Sequence, residues 1–307
     1  MEFRLLHYVI QIAAERNFSR AAEKLHIAQP SLSQQLSKLE KELGVLLFKR
    51  TTNSVELTYA GTVFVEKAQR IVDMTEQLRR EMEDIADLRK GRIVVGTLPI
   101  TGSHILPHVL PAFREAYPDI EIALVEEASA TLESLTASGG TDVSLLTLPL
   151  IEPSLAYDPI LEEEICLAVP RDHPLVADGA AEADVGALAD EAFVMLKKGQ
   201  GFRAIAVGLC RQAGFDPRVA VESTNIETVQ SLVAAGMGIA FVPQMITRRE
   251  HDGLQPVYLP LKGRPTRTLV IAYRKGRYLS NAAEAFISTF RDTMRRLGPS
   301  PDSRTPS

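Results

Sequence analysis

The sequence predicts an α/β protein in three parts: a small helix-turn-helix head, one long helix, and a body of two α/β lobes. Three observations predict it. Residues 17–43 carry two helical patterns separated by a tight turn, and residues 58–88 contain no proline and no glycine beyond Gly61. Past Gly91, short apolar strands alternate with helical stretches, the order that builds a parallel sheet. A length of 307 residues suggests two or three domains.

In the head, residues 2–16 read as a helix with Leu6, Val9, Ile10 and Ala13 on one face. Ser19 is placed to cap a second helix whose small Ala21 and Ala22 allow close packing, with Leu25 one turn on. A turn falls near His26–Ala28, and Pro30 suits the first turn of a third helix, where its missing N–H costs nothing. Leu32, Leu36, Leu39 and Leu43 then form one apolar stripe. The opposite face carries Pro30, Ser31, Gln34, Ser37, Lys38 and Lys41, with Ser33 on the flank. Short hydroxyls and amides both donate and accept hydrogen bonds, which suits phosphate oxygens and base edges in a major groove. The alternative is an ordinary helical hairpin with a polar exterior. After Gly44, Val45–Phe48 and Val55–Leu57 read as two strands joined by a cationic, polar tip, Lys49 to Ser54. Such a ribbon is shaped as a wing for the DNA backbone or minor groove, with Arg50 as its contact. The alternative for Arg50 is an ion pair with Glu40 or Glu42.

The long helix would extend about 46 Å. Phe64, Ile71, Leu78 and Ile85 recur every seven residues, with Ala68, Thr75 and Met82 between them. This heptad seam predicts pairing with a second copy of the chain, which would set two recognition helices about one DNA turn apart over an inverted repeat.

Arg89-Lys90-Gly91-Arg92 forms a hinge. The first lobe follows as strand 93–97, helix 103–116, strand 120–125, helix 130–137 and strand 143–146. The second runs as strand 165–169, strand 193–196, helix 203–213, strand 219–222, helix 226–235 and strand 239–242. The last strand, 268–273, and helix, 279–297, return to the first lobe and give two crossover strands. The resulting boundaries are 1–58 for the head, 59–90 for the linker helix and 91–297 for the body. Lobe I takes 91–162 and 268–297, lobe II takes 163–267, and the Pro/Ser-rich tail 298–307 is expected to be disordered.

Composition narrows the function. Hydrophobic content of 45% and charged content of 24% describe an ordinary globular chain, and no apolar run is long enough to span a bilayer. The N-terminus has a helical period rather than the layout of a signal peptide, so a cytoplasmic location is expected. The net charge of −5 is uneven: residues 1–60 carry +2 and the remainder −7, a mildly basic head on an acidic body. Cys166 and Cys210 do not make a disulfide framework and read as buried thiols. His104 and His108 are four apart but lack a third ligand, so no metal site is expected. Asp172-His173 has no nucleophile beside it, and Glu162-Glu163-Glu164 reads as a solvated charge run.

Assembled in this order, the chain closely resembles the LysR-type transcriptional regulators over nearly its whole length. The resemblance is carried by FSRAAEKLHIAQPSLSQQLSKLEKELGVLLFKR at 18–50, LTYAG at 57–61, HPL at 173–175 and LVAAGMGIAFVP at 232–243. It implies a winged helix-turn-helix, a dimerising linker helix and a bilobal α/β effector domain like type 2 periplasmic binding proteins. It further implies a homotetramer on double-stranded DNA, acting as activator or repressor, with RNA polymerase as a further partner and no membrane involvement. The DNA-facing set is Ser19, Arg20, Gln29, Pro30, Ser31, Ser33, Gln34, Ser37 and Lys38, with Arg50 and Thr52 on the wing.

In open α/β lobes, ligands bind outside the carboxyl ends of strands, near helix N-termini. That rule selects Thr97, Pro99, Ile100, Thr101, Ser129 and Thr147 in lobe I, and Gly201, Phe202, Arg203 and Asn225 in lobe II. The hydroxyls and an apolar wall at Leu98–Ile100 suggest a small organic acid as effector, with Arg203 as a partner for its carboxylate. Ser129, Asn225 and Ser103 could equally be helix caps. An enzyme or a solute receptor on the same bilobal scaffold is the alternative. A receptor would need export, and an enzyme would need a convergent acid, base or nucleophile.

Overall fold

The computed structural model describes residues 2–50, 55–86, 91–248 and 255–297. The chain divides into two compact units, a head with its long helix and the bulk of an α/β body.

The head comprises α1 (Phe3–Glu15), α2 (Phe18–Lys24), α3 (Gln29–Leu43), β1 (Phe48–Arg50) and β2 (Val55–Leu57). α1 buries Leu5, Leu6, Val9 and Ile12, a stripe rotated slightly from the expected one, leaving Ile10 and Ala13 half-buried. The cap of α2 is Asn17 rather than Ser19: its Oδ1 accepts from the N–H groups of Ser19 (2.9 Å) and Arg20 (3.1 Å). Ser19 already lies inside the first turn, because the helix begins at Phe18. Leu32, Leu36 and Leu39 are buried as expected, but Leu43 is 39% exposed and the fourth inward position belongs to Glu40. The wing explains the substitution. Oε1 of Glu40 accepts from the backbone N–H groups of Leu47 (2.7 Å) and Phe48 (3.2 Å), bracing the entry to β1 against α3. β1 and β2 pair antiparallel with Phe48 opposite Leu57 and Arg50 opposite Val55. Thr52 and its neighbours over 51–54, and the side chain of Arg50, lie outside the described residues, while Lys49 is exposed.

α4 (Tyr59–Ala86) starts on the wing. Thr58 Oγ1 accepts from Gly61 N (2.9 Å) and donates to Leu46 O (2.7 Å). A Cβ at Gly61 would stand 1.9 Å from the Leu47 carbonyl oxygen, so only glycine lets the first turn lie there. Of the expected seam, Phe64 is half-buried and packs with Ala60 and Val65 into the head's own core. Ala68 is also buried, and the apolar stripe beyond it is exposed: Ile71 at 44% and Leu78 at 57%, with Met74 and Met82 between and beyond them. The side chain of Ile85 lies outside the described residues.

The body continues as β3 (Gly91–Thr97), α5 (Pro99–His104), α6 (Leu106–Ala116), β4 (Ile120–Glu126), α7 (Ser129–Ser138), β5 (Val143–Thr147) and β6 (Leu155–Val169). Then come α8 (Pro174–Ala177), β7 (Ala192–Leu196), α9 (Gly201–Gln212), β8 (Arg218–Ser223), α10 (Ile226–Ala234) and β9 (Ala240–Pro243). β10 (Val257–Pro260), β11 (Thr266–Arg274) and α11 (Asn281–Leu297) close it. The helix expected over 103–116 is two helices, each with proline in its first turn.

The strand pairing is parallel for β3–β4, β3–β5 and β7–β8, as alternation predicts, and antiparallel wherever a crossover strand takes part. β6 is longer than the expected 165–169. Its first ten residues pair with β11 in lobe I, and its last five pair with β9 and β10 in lobe II. The glutamates that read as a solvated run sit in that strand and each finds a partner: Glu162 accepts from Thr266 Oγ1 (2.7 Å), Glu163 pairs with Arg267 (2.8 Å), and Glu164 pairs with Arg264 (3.0 Å). Lobe I packs Phe113, Phe286 and Phe290 beneath its sheet, and lobe II packs Phe193 and Phe241.

Replacing Glu40 with alanine strands the Leu47 and Phe48 N–H groups. The expected cost is about 1–3 kcal/mol, read as a lower melting temperature for the full-length protein. An unchanged melting curve would show that the brace contributes nothing.

Candidate functional site

Two regions gather the candidate residues. On the head, Gln29, Pro30, Ser31, Gln34, Ser37, Lys38 and Lys41 are all exposed along one side of α3, with Ser33 half-buried at its edge. Ser19 and Arg20, at the start of α2, are exposed as well. α3 is held from behind by Leu32, Leu36 and Leu39, each essentially inaccessible, so its polar face is presented on a rigid support. This face offers amide and hydroxyl groups for bases and two ammonium groups for phosphates.

In the body, the C-terminal ends of β3 and β5 meet the start of the antiparallel β11 at one edge of the lobe I sheet. Thr97 is in register with Leu145, and Thr147 with Leu269. Thr97 is fully buried and its hydroxyl donates to the carbonyl of Leu98 (3.1 Å). Thr101 (1% exposed) and Thr147 (4%) are also buried, yet neither hydroxyl meets a hydrogen-bond partner among the described residues. Pro99 is exposed and Ile100 half-buried, the latter packed against the cores of both lobes. Ser129, at the first turn of α7, reaches across the cleft: its Oγ accepts from Gly201 N (2.9 Å) at the first turn of α9. Phe202 is buried in lobe II.

Two expected lobe II residues are engaged elsewhere. Nη1 of Arg203 donates to the Leu196 carbonyl and to Glu222 Oε1, both at 2.6 Å, so this nitrogen is held within lobe II. Asn225 caps α10, its Oδ1 accepting from Glu227 N (2.6 Å) and Thr228 N (3.2 Å). Ser103 likewise donates back to Pro99 O (3.0 Å) within its own helix.

The cation at the cleft is one that sequence reasoning missed. Arg267, near the start of β11, has a fully buried side chain. Nε donates to Glu163 Oε2 (2.8 Å), Nη2 lies 2.8 Å from the same oxygen, and the guanidinium stands 5.3 Å from the centre of the Phe202 ring. Glu163 Oε1 accepts from Met245 N. Rules that look at strand ends and helix starts pass over a residue inside a crossover strand, and only the alternation of charge between 162–164 and 264–267 hinted at it.

The remaining motifs resolve into structure. His173 Nδ1 caps α8 by accepting from Leu175 N (3.2 Å), and Nε2 lies 3.4 Å from Glu191. His104 Nδ1 is 3.0 Å from the Ile100 carbonyl. Cys166 in β6 and Cys210 in α9 are buried, and burial pushes both thiols up to about 11. No helix among the described residues is long and apolar enough to cross a membrane.

Two family models match the two parts of the chain. The family described as bacterial regulatory helix-turn-helix protein, lysR family, matches residues 3–62, and the LysR substrate binding domain matches 86–295. The HTH-type transcriptional regulator YcgK of Bacillus subtilis is 39% identical, the match covering 96% of each chain. The hydrogen peroxide-inducible genes activator of Pectobacterium carotovorum is 34% identical over 96% of this chain and 97% of its own. Among solved structures, full-length OxyR of Pseudomonas aeruginosa superposes with a TM-score of 0.72 at 28% identity, covering 96% of this chain and 95% of that one. These relatives are regulators rather than enzymes. The chain belongs to the LysR family and is a DNA-binding transcriptional regulator with an effector-binding domain.

Proposed function

We propose that this regulator works in the cytoplasm as a dimer or tetramer on an inverted-repeat site, and that a small organic acid held between its two lobes switches it. The observation that carries this reading is the lobe junction. Two buried hydroxyls of lobe I, Thr101 and Thr147, meet no partner among the described residues, and a direct hydrogen bond runs from Gly201 in lobe II to Ser129 in lobe I. An unsatisfied buried hydroxyl costs about 1–3 kcal/mol, which a ligand acceptor would recover. Effector binding competes with or reinforces the Ser129–Gly201 bond, shifts the lobes between two settings and so changes the spacing of the heads on DNA. RNA polymerase is the further partner such a regulator would address.

On DNA, α3 reads the major groove through Ser31, Ser33, Gln34, Ser37 and Lys38, with Gln29 and Pro30 at its entry. Ser19 and Arg20 anchor α2, and Arg50 and Thr52 anchor the wing. The exposed apolar seam supports self-association, since a stripe of Ile71, Met74, Leu78 and Met82 is stabilised by a matching stripe on a second copy.

Peroxide sensing by a thiol is a second reading, prompted by the name of the Pectobacterium relative. The chain's two cysteines disfavour it: both are buried, and with thiols pushed up to about 11 the reactive thiolate is scarce near neutral pH. Native protein should therefore resist iodoacetamide near neutral pH, while the denatured chain takes up label on both cysteines. Burial favours the protonated thiol, so this contribution to stability is constant below the free-thiol value of 9.0 and declines above it, as the unfolded chain ionises first. Rapid labelling of the native protein would reopen the thiol reading.

Gel shifts on the gene's own upstream region test the DNA reading. Gln34→Ala should change sequence preference, whereas Arg50→Ala should weaken all sequences evenly and flatten the salt dependence. Identical behaviour of the two variants would contradict the division between reading and anchoring. Leu78→Glu should break self-association in sedimentation velocity and weaken operator binding with it. Retention of the wild-type assembly would exclude the seam as the interface.

A further inference from the structure

We infer that Arg267 is the residue that receives the effector's carboxylate, and that it does so together with Thr101 and Thr147. This rests on the reading of the cleft as the effector site. Nη1 of Arg267 is buried and meets no hydrogen-bond partner among the described residues, although Nε and Nη2 are both held by Glu163. A guanidinium nitrogen kept from water without an acceptor is costly, and a fixed, paired guanidinium presents its remaining donors in one direction.

The strand registers set two of the three groups on one face of the sheet, and the third follows the next strand but one. Thr147 is opposite Leu269, and Arg267 stands two residues before Leu269 on the same strand. Side chains alternate along a strand, so Thr147 and Arg267 face the same side of the sheet at the same edge. Thr97, next but one along that edge, carries α5 directly after it, and a Cβ at Gly102 would lie 3.2 Å from Thr97 Cγ2. Thr101 precedes Gly102 in that helix, with its hydroxyl buried and unpartnered among the described residues. Across the cleft, the Phe202 ring under the guanidinium adjoins Gly201, the residue that bonds to Ser129.

Nη1 offers two N–H donors and each threonine one O–H. That sum matches the roughly four acceptor positions of a single carboxylate, whereas an amide accepts through one oxygen only and forgoes the charge-assisted bond to the guanidinium. Because Glu163 already neutralises much of the arginine's charge, the pocket is matched to a monoanion and not to a polyanion. Phe202 and Ile100 supply apolar wall for the rest of the molecule. The same arginine, itself on β11, ties the ligand to the other crossover strand through Glu163 on β6, whose second oxygen accepts from Met245 N just past β9.

The test is a thermal-shift series on the full-length protein with acetate, butyrate, benzoate and salicylate, each beside its primary amide. At least one acid should raise the melting temperature while its amide does not. Arg267→Met should weaken that acid about 10- to 100-fold, the scale of one lost charge-assisted hydrogen bond. Should Arg267→Met fail to fold, Thr147→Val carries the test. It removes a hydroxyl that has no partner, so the unliganded protein should melt no lower, yet the response to acid should fall. Amides that act as well as acids would overturn the carboxylate assignment while leaving the cleft as an effector site. So would a series in which no acid acts, or variants that respond as wild type does. The regulator reading is judged separately, by whether a metabolite extract alters operator binding.

Discussion

Glu163 and Arg267 stand opposite each other in register where the chain crosses between its lobes, and both side chains are buried. Withdrawing two charges from water costs several kcal/mol each, so the pair persists only because its geometry is good and its polar atoms other than Arg267 Nη1 are engaged. Glu163 accepts from Met245 N with its second oxygen, and the guanidinium lies over Phe202. Removing one partner of such a pair typically costs about 3–5 kcal/mol. The lobes share β6, so this pair holds the frame in which everything at the cleft is positioned. Loss of the pair would be felt in both sheets at once.

Where the buried face of an element is decided by spacing alone, it was legible. Leu32, Leu36 and Leu39 line up at helical intervals and are buried, and the short hydroxyls opposite them are exposed. Legibility ended where the deciding partner is distant. Leu43 fits the stripe by spacing, yet Glu40 turns inward because β1 brings two backbone N–H groups that need an acceptor. The run 162–164 has the composition of a solvated surface. Its partners, Arg264, Thr266 and Arg267, arrive about a hundred residues later.

The cleft repeats the lesson with finer resolution. Thr97, Thr101 and Thr147 are the same residue type at the same sheet edge, and all three satisfy the rule that ligands gather at strand ends. Thr97 spends its hydroxyl on its own backbone, whereas the other two do not. Arg203 and Arg267 differ in the same way: the first sits at a helix start, where sequence rules look, and is taken by Glu222, and the second lies within a strand and borders the cleft. Residue type and position narrow the candidates, but the competition for hydrogen-bond partners decides among them.

The absent side chain of Gly61 has a mechanical consequence. With no Cβ there, the first turn of α4 rests on the Leu47 carbonyl, while Thr58 ties the same turn to Leu46. Wing and helix are thus joined without a pliant layer of side chains between them. A rotation of the long helix about its axis meets no side-chain layer at this joint that could absorb it before it reaches the wing. The joint is built as a torsion rod is clamped, so the orientation of the wing is tied to that of the first turn of the helix.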